Sequence, residues 1–292
     1  MTIAIFGNPY PQHFTKYIQH LIKKLENEHI KIIIEEKFNT FLQKSIRFTT
    51  KVDTFESYES LRNTADFLFS IGGDGTLLKA VTFVRDSNIP IMGINTGRLG
   101  FISSISAGQI DDAINDILKE NYDISERALL ELNSENKLFK DNNFALNEVA
   151  ISKKDTSSMV RIDAYVDDEF LNTYWADGLV VSTPTGSTGY SLSCGGPIIM
   201  PGTNNIIITP NAPHNLNVRP IVINDNSIIK LKVEDRDQLA LVSLDSRSRA
   251  FDSDTELIIK KSDFKIRLIQ PQNNSFASTI RNKLMWGLDK RS

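Results

Sequence analysis

Apolar residues in the first hundred positions alternate between short runs and helical spacing. The apolar runs are residues 3–6, 30–34, 66–71 and 89–94, each of strand length. Between the first two runs, apolar side chains from Phe14 to Leu25 recur every three or four positions, and residues 77–86 form a second helical segment. Strand, helix and strand in this order predict a mostly parallel sheet, which binds ligands at the carboxyl ends of its strands.

A different pattern begins near residue 122. Apolar and polar positions alternate with a period of two over residues 160–166, 227–233, 239–244 and 256–268. This pattern is typical of antiparallel strands, and Asp167-Asp168 is typical of a hairpin turn between two of them. We therefore expect an α/β domain over residues 1–105, an antiparallel β-rich, β-sandwich-like domain over 106–270, and a tail, 271–292, that returns to the first domain.

The composition is that of an ordinary globular protein. Of 292 residues, 40% are hydrophobic and 24% are charged, which argues against a disordered or collagen-like chain. The net charge of −3 implies no general attraction to nucleic acid or to an anionic membrane. The single cysteine, Cys194, cannot form an internal disulfide, which fits a reducing compartment. We expect a cytoplasmic protein with neither a nucleic acid nor a membrane as partner.

Three glycines in five positions give the strongest local signal. Residues 72–76, GGDGT, follow an apolar strand and precede a helix. Glycines let the backbone turn tightly and approach a phosphate, and the helix N-terminus supplies free N–H groups. Asp74 is the only strong base in this loop, and it could accept a proton from an attacking hydroxyl or hold a divalent ion. The alternative is a tight turn with an acidic cap.

Two further segments could bind a nucleoside. A strand near Leu179 runs into a loop of hydroxyls and glycines, residues 182–197, that offers neutral donors to phosphate or sugar oxygens, with Tyr190 available to stack on a base. The alternative is a flexible linker. Asn147 and Glu148 together could recognise hydroxyl or amino groups, and the alternative there is a surface turn. The chain lacks the motifs GxxxxGK[ST], GxGxxG at a helix start, and GxSxG.

Five blocks of the sequence together resemble one family. They are GGDGT at 72–76, NTGRLGF at 95–101, NE at 147–148, the stretch from Asp177 to Pro197, and Pro213, His214, Leu216, Arg219 and Pro220. In this order they look like the bacterial NAD kinase family, whose fold has two domains. The GGDG string alone is shared with phosphofructokinases and with lipid kinases of the diacylglycerol type.

The resemblance implies transfer of the terminal phosphoryl group of ATP to the 2′-hydroxyl of the adenosine ribose of NAD, with a divalent cation, Mg²⁺ first, in a homodimer or homotetramer. The active site would lie in the cleft between the domains. Asp74 would be the catalytic proton acceptor. The nucleotide-binding residues would be Gly72, Gly73, Gly75, Thr76, Lys79, Asn147, Glu148, Asp177, Thr188, Gly189, Tyr190, Ser191, Leu192, Ser193, Ala212 and Arg247.

Three positions depart from the family pattern. Trp175 stands where some relatives carry Arg, and Gly189 replaces the usual Ala. Asp245-Ser246-Arg247 replaces an Asp-Gly pair, and Arg247 is a candidate to supply the charge that Trp175 does not. The candidates for local cations near a bound phosphate are Lys79, Arg98, Arg219 and Arg247.

Two alternatives to an NAD kinase remain at this point. The same glycine loop could serve a kinase of a sugar phosphate or a lipid head group. The chain could also be a regulatory NAD(P)-binding protein that has lost catalysis, although the intact Asp74 argues against this.

Overall fold

The computed structural model describes residues 1–97, 100–103, 105–154, 159–234, 239–253, 255–270 and 275–285. The chain forms two compact units, Met1–Glu126 together with Ile266–Ser292, and Arg127–Lys265. The first boundary therefore follows Glu126 and not residue 105, because the helix after Ser106 buries Ile110, Ile114 and Ile117 in the core of the first unit.

Among the described residues, the strands in chain order are β1 (Thr2–Gly7), β2 (Lys31–Glu35), β3 (Asp53–Phe55), β4 (Phe67–Ile71), β5 (Ile91–Ile94), β6 (Asp123–Ser134), β7 (Phe144–Ala145), β8 (Glu148–Lys153), β9 (Val160–Val166), β10 (Glu169–Ala176), β11 (Gly178–Ser182), β12 (Asn205–Asn211), β13 (Ile221–Asn224), β14 (Ile229–Glu234), β15 (Leu239–Leu244), β16 (Arg247–Asp252) and β17 (Leu257–Gln270). The α-helices are α1 (Thr15–Asn27), α2 (Glu36–Leu42), α3 (Tyr58–Leu61), α4 (Asp74–Val84), α5 (Ile110–Leu118), α6 (Tyr190–Ser193) and α7 (Phe276–Leu284). Short 3₁₀ helices cover Gln12–Phe14, Ala107–Gln109, Lys140–Asn142 and Gly186–Thr188.

The first unit contains the predicted parallel sheet. Its strand order is β3-β2-β1-β4-β5, every neighbouring pair is parallel, and Leu268 of β17 pairs beside Ile91 of β5. The chain runs from β1 outward to β3 on one side and then through β4 to β5 on the other. The order therefore reverses between β1 and β4, and open sheets of this kind bind ligands at such a switch point.

The helices of the first unit cover this sheet with apolar faces. Helix α1 buries Ile18, Leu21, Ile22 and Leu25, which recur at the spacing of one helix face. Helix α7 also belongs to this unit, and its Lys283 ammonium lies 5.7 Å from the centre of the Phe101 ring. The rest of the expected tail, residues 271–274 and 286–292, lies outside the described residues.

The second unit is the predicted antiparallel β structure. One sheet has the order β13-β12-β11-β8-β15-β16, and β14 pairs with β9 and β17 while β10 pairs with β9. Apolar side chains of both groups of strands form one core, for example Val181 and Val242 with Ile162. This is a sandwich arrangement, as predicted. Asp167 and Asp168 form the expected hairpin turn, each with positive φ.

No helix formed by the described residues is long and apolar enough to cross a membrane.

Candidate functional site

The GGDGT loop lies at the switch point of the parallel sheet. It joins the end of β4 to the start of α4, and Asn8 follows the end of β1 beside it. The Asn8 side-chain amide donates to Thr76 Oγ1 at 2.9 Å, and the Asn8 backbone N–H donates to the Ile71 carbonyl at 3.4 Å. The loop is thus fixed at the carboxyl ends of both strands, where a ligand would bind.

The three glycines of this loop have different roles. Gly72 has φ +152°, and a Cβ there would lie 2.2 Å from Thr76 Oγ1, so the fold itself requires glycine. A Cβ at Gly73 or at Gly75 would meet no protein atom within 4 Å, and both residues are exposed. The fold places no steric demand at these two positions. Their bare backbone leaves the start of α4 accessible, as phosphate binding requires.

Asp74 is the first residue of α4, and its carboxylate is held by backbone donors. Oδ2 accepts the N–H of Phe101 at 2.7 Å, and Oδ1 accepts the N–H groups of Ser103 at 2.9 Å and Ile102 at 3.3 Å. These contacts fix the side chain while it stays partly exposed. The interpretation of Asp74 as a mere helix cap is thereby weakened, because the carboxylate caps no N–H of its own helix.

The first of these donors, Phe101, is the last residue of the NTGRLGF block, and the other two follow it directly. A Cβ at Gly100 would lie only 1.8 Å from Asp74 Oδ1, so glycine at this position allows the contact. The Ser103 hydroxyl also donates to the Gly72 carbonyl at 3.1 Å. The only local sign of this contact in the sequence is the glycine at position 100, which leaves room for the Asp74 carboxylate. Arg98, a candidate cation, lies outside the described residues.

Lys79 is exposed on α4, one turn after Gly75. Its position fits a contact with a ligand at the glycine loop, and it equally fits a solvated helix lysine.

In the second unit, the Asn147-Glu148 pair is positioned by a residue that sequence reasoning did not assign. Asp245, in the turn between β15 and β16, accepts the backbone N–H groups of Leu146 at 3.0 Å, Asn147 at 2.8 Å and Glu148 at 3.2 Å. Its φ of +52° is one that Asp tolerates better than most side chains. The sequence differs from the Asp-Gly pattern only after the Asp. Asp245 itself is present, and its carboxylate orients the start of β8.

Three polar atoms beside this start are buried and have no hydrogen-bond partner among the described residues. They are Asn147 Oδ1, Glu148 Oε2 and Ser182 Oγ. An unsatisfied buried polar group costs about 1–3 kcal/mol, so native structures rarely leave one without a water or ligand. The pair is therefore not a surface turn. The alternative interpretation of Asn147-Glu148 as a surface turn is wrong, since the Glu148 residue is only 8% exposed.

Burial changes the acidity of Glu148. Desolvation, and then the negative charge of Asp245, raise the pKa of Glu148 to about 7, while the Tyr190 N–H acts in the opposite direction. Burial also raises the pKa of Asp245, against the lowering effect of its three backbone donors and of Arg247. Burial and the neighbouring Asp245 carboxylate therefore both favour the protonated form of Glu148.

The hydroxyl-rich loop is ordered and largely buried, and the linker interpretation is wrong. Several of its hydroxyls donate to backbone carbonyls of the protein itself and do not point to open space. Thr183 donates to the Leu146 carbonyl at 2.7 Å, Ser187 to the Pro184 carbonyl at 2.7 Å, and Thr188 to the Thr185 carbonyl at 3.2 Å. Ser191 pairs with the Thr209 hydroxyl at 2.9 Å. These groups shape the loop, which corrects the expectation that they are open donors; Tyr190 and Ser193 are exposed and Leu192 is partly exposed.

Asn211 brings three predicted residues together at the end of β12. Its carbonyl accepts the Asp177 N–H at 3.0 Å, and its side-chain amide donates to the Tyr190 phenol at 2.9 Å. Ala212 follows directly and is exposed with φ +46°. The Asp177 carboxylate forms an ion pair with Lys153 at 2.6 Å.

The predicted arginine cations are engaged by carbonyl groups. Arg247 donates to the carbonyl of Asn142 at 2.6 Å and to that of Phe144, over whose ring its guanidinium lies. Arg219 donates to the carbonyls of Leu216 and Val218. These contacts account for both side chains structurally. Trp175 is 50% exposed.

A preformed metal cage is absent from the described residues, in which no group of three His, Cys, Asp or Glu side chains converges. Mg²⁺ in kinases is usually bound through one or two carboxylates and the substrate phosphates. Asp74 suits that mode, because Oδ2 accepts one hydrogen bond and an oxygen of a carboxylate has capacity for two.

Comparison with known proteins agrees with this geometry. Residues 3–122 match the ATP-NAD kinase N-terminal domain, and residues 146–271 match the ATP-NAD kinase C-terminal domain. Relatives named NAD kinase from Cytophaga hutchinsonii and Flavobacterium psychrophilum are each 48% identical to this chain, and the matches cover all of both sequences.

Solved structures show the same fold. Yeast NADH kinase, solved in complex with NADH, superposes with a TM-score of 0.88 at 22% identity over 99% of this chain and 89% of its own. An NAD kinase from Archaeoglobus fulgidus, solved in complex with ATP, superposes with a TM-score of 0.74 at 26% identity over 98% of each chain.

Proposed function

The chain belongs to the ATP-NAD kinase family, and we propose that it transfers the terminal phosphoryl group of ATP to the 2′-hydroxyl of the adenosine ribose of NAD, giving NADP. The observation that carries the proposal is Asp74, held by three backbone donors between two glycines whose missing side chains leave open space. Family membership over both units favours this acceptor over a sugar phosphate or a lipid head group.

The glycine loop would bind phosphate. Gly73 and Gly75 expose backbone at the N-terminus of α4, where unpaired N–H groups and the helix dipole favour an anion. Phosphoryl transfer needs positioning and charge stabilisation more than covalent catalysis, so a rigid loop of this kind suffices as the main device. Thr76, which accepts from Asn8, would keep the loop in place.

Asp74 would accept the proton of the attacking hydroxyl. The backbone N–H groups of Phe101 and Ser103 hold the Asp74 carboxylate in one orientation. The carboxylate oxygen that accepts the proton is therefore already positioned when the nucleotide binds. The remaining acceptor capacity of Oδ2 would serve either this proton or a divalent ion. When bound with ATP, such an ion supplies positive charge to the phosphate oxygens.

The second unit would bind the nucleoside groups. Asn147 Oδ1 and Glu148 Oε2 are buried acceptors that find no partner in the described part of the chain, and hydroxyl or amino groups of NAD would satisfy them. Asp177 would contact the nicotinamide-side nucleoside, and residues 188–193 would line the adenine side, with the exposed ring of Tyr190 available for stacking. Ala212, next to Asn211, would form part of the same wall.

The test of this proposal is NADP formation by the purified protein with ATP, Mg²⁺ and NAD, run beside Asp74→Asn. Loss of a general base costs about 10²–10⁴-fold, so we expect kcat to fall by that factor. Asp112→Asn is the matched control, because Asp112 also lies in the first turn of a helix and is exposed. Thermal melts of all three proteins identify a folding defect.

A wild-type protein that folds but makes no NADP with any common phosphoryl donor would refute the proposal. An Asp74→Asn variant with unchanged kcat would refute only the role of Asp74. We also propose a homodimer or homotetramer and a cytoplasmic location; the first is checked by sedimentation and the second by cell fractionation.

A further inference from the structure

The turn between β15 and β16 carries two opposite charges, Asp245 and Arg247, that both bond to one stretch of chain, residues 142–148. The Asp245 carboxylate accepts the N–H groups of residues 146–148. The Asp245 N–H in turn donates to the Glu148 carbonyl at 3.0 Å. The acidic residue of the turn therefore holds the end of this stretch.

Arg247 holds the beginning of the same stretch. Its Nη1 donates to the carbonyl of Asn142 at 2.6 Å, and its Nη2 donates to the carbonyl of Phe144. The guanidinium lies 5.4 Å from the centre of the Phe144 ring, and this buried ring packs against Phe264 with 5.2 Å between centres. A planar guanidinium presents a rigid fork of donors, so it reaches two carbonyls at once where a lysine ammonium acts as a single point charge.

The two charges of the turn also support each other. Burial raises the pKa of Asp245, and the Arg247 guanidinium acts against this rise. An ionised carboxylate accepts hydrogen bonds at both oxygens, which is how Asp245 bonds to its three N–H groups. Loss of Arg247 would therefore weaken the hold on both ends of the stretch.

We propose that Arg247 is a positioning residue for NAD, which together with Asp245 fixes the backbone from which Asn147 and Glu148 reach the nucleoside. Arg247 acts through the main chain of residues 142–148 and not as a cation beside a phosphate. The inference rests on the proposed function, in which the side chains of Asn147 and Glu148 bind NAD.

The experiment compares wild type with Arg247→Met and Arg247→Lys. Calorimetry gives the Kd of NAD, and steady-state kinetics give the KM values of NAD and of ATP. Methionine removes the charge and the donors, and lysine keeps the charge without the fork. We expect the Kd and KM of NAD to rise about tenfold in Arg247→Met and less in Arg247→Lys. The KM of ATP should change by less than about twofold, because the glycine loop proposed to bind phosphate belongs to the other unit.

Arg249→Met is the matched control. Arg249 lies two residues further along β16, is exposed, and donates to the carbonyl of its neighbour Ser248. Its loss should leave the Kd of NAD within about twofold of the wild-type value. The Tm of each variant is measured as well, because a merely structural role of Arg247 would lower the Tm and leave the Kd of NAD unchanged.

A double-mutant cycle separates positioning from direct contact with NAD. If Arg247 acts through Asn147 and Glu148, its effect must shrink once one of the two side chains is removed. In an Asn147→Ala background, Arg247→Met should therefore raise the Kd of NAD by about threefold or less. An equal rise in both backgrounds would overturn the inference, because Arg247 would then contact NAD itself.

An unchanged Kd of NAD in Arg247→Met, in a protein whose wild type makes NADP, would overturn the inference and leave the proposed function intact. A wild type that binds NAD but makes no NADP would count against the proposed function, and the calorimetric comparison would still decide the inference. Absence of NAD binding by wild type would overturn both. Should Arg247→Met fail to fold, Arg247→Lys replaces it, and a wild-type Kd in that variant overturns the inference.

Discussion

At the scale of single residues, carboxylates perform two different tasks in this protein. Asp74 and Asp245 each accept three consecutive backbone N–H groups, and each thereby fixes a segment distant in sequence. Glu148 differs, because one of its oxygens is buried and has no hydrogen-bond partner among the residues that the structure describes. Asp74 and Asp245 thus position segments of backbone, while Glu148 and Asp74 each keep an oxygen with capacity for a ligand.

Glu148 makes stability depend on pH. Its pKa is about 7 in the folded protein and 4.5 ordinarily, so the folded state binds more protons between these values. The stability contribution is fully present below pH 4.5 and is lost as pH rises through 7. This loss amounts to about 3 kcal/mol for a shift of this size.

Glu148→Gln removes the titrating group, so the stability of wild type relative to this variant should fall as pH rises from 4.5 to 8. Urea denaturation at intervals across that range measures the difference, in which the other titrating groups largely cancel. Glu135→Gln, at an exposed turn, is the control and should show no such trend. A pH-independent difference for Glu148→Gln would contradict the assignment.

At the scale of elements, the contact between the glycine loop and residues 100–103 depends on Gly100. Gly100→Ala places a Cβ 1.8 Å from Asp74 Oδ1, so the carboxylate must move and its backbone donors lose their acceptor. We expect a loss of about 1–3 kcal/mol in stability and at least a tenfold fall in kcat.

Gly97→Ala is the stability control for that experiment. The atom nearest to a Cβ at Gly97, apart from its chain neighbours, is Asn95 Oδ1 at 3.9 Å, which is an ordinary contact distance. Chemical denaturation and steady-state kinetics report the two effects separately. A Gly100→Ala protein with wild-type stability and kcat would show that the contact with Asp74 has no importance.

The same elements show what sequence patterns can predict. Helix α1, strand β9 and the turn at Asp167 follow from local periodicity and turn chemistry, and the structure confirms them. Asp74 contacts residues 101–103, which lie 27 to 29 positions after it in the chain. Asp245 contacts residues 146–148, which lie 97 to 99 positions before it. No local pattern encodes such pairs. The pairing of the Ser191 hydroxyl with that of Thr209 also depends on tertiary packing and could not be predicted from the sequence.

At the scale of the whole molecule, family resemblance supplied what periodicity could not. Its blocks occur in both units, and matches to the N-terminal and C-terminal family domains cover residues 3–122 and 146–271. The family and the two-domain architecture were thus predictable from sequence. The unit boundary after Glu126 was not, because it depends on where α5 packs.

Ligand binding should stabilise the folded chain as a whole. A ligand at one hundred times its Kd adds about 2.7 kcal/mol, and we expect NAD to raise the Tm of wild type accordingly. Asp74→Asn should show a similar rise with NAD, because the nucleoside contacts proposed for Asn147 and Glu148 do not involve Asp74. Differential scanning calorimetry with and without NAD measures this. A variant with normal Tm in the absence of NAD but no shift in its presence would assign NAD binding itself to Asp74.

The three groups that donate to the Asp74 carboxylate are all backbone N–H groups, so the contact places few demands on the side chains around it. Side chains at positions 101 and 102 contribute nothing to the hydrogen bonds that the carboxylate accepts from them. Other residues there would keep these hydrogen bonds, whereas proline at either position would remove one of the three, because proline has no N–H to donate. The carboxylate that we propose as the proton acceptor can therefore keep its geometry while its neighbours diverge, provided that Gly100 stays a glycine.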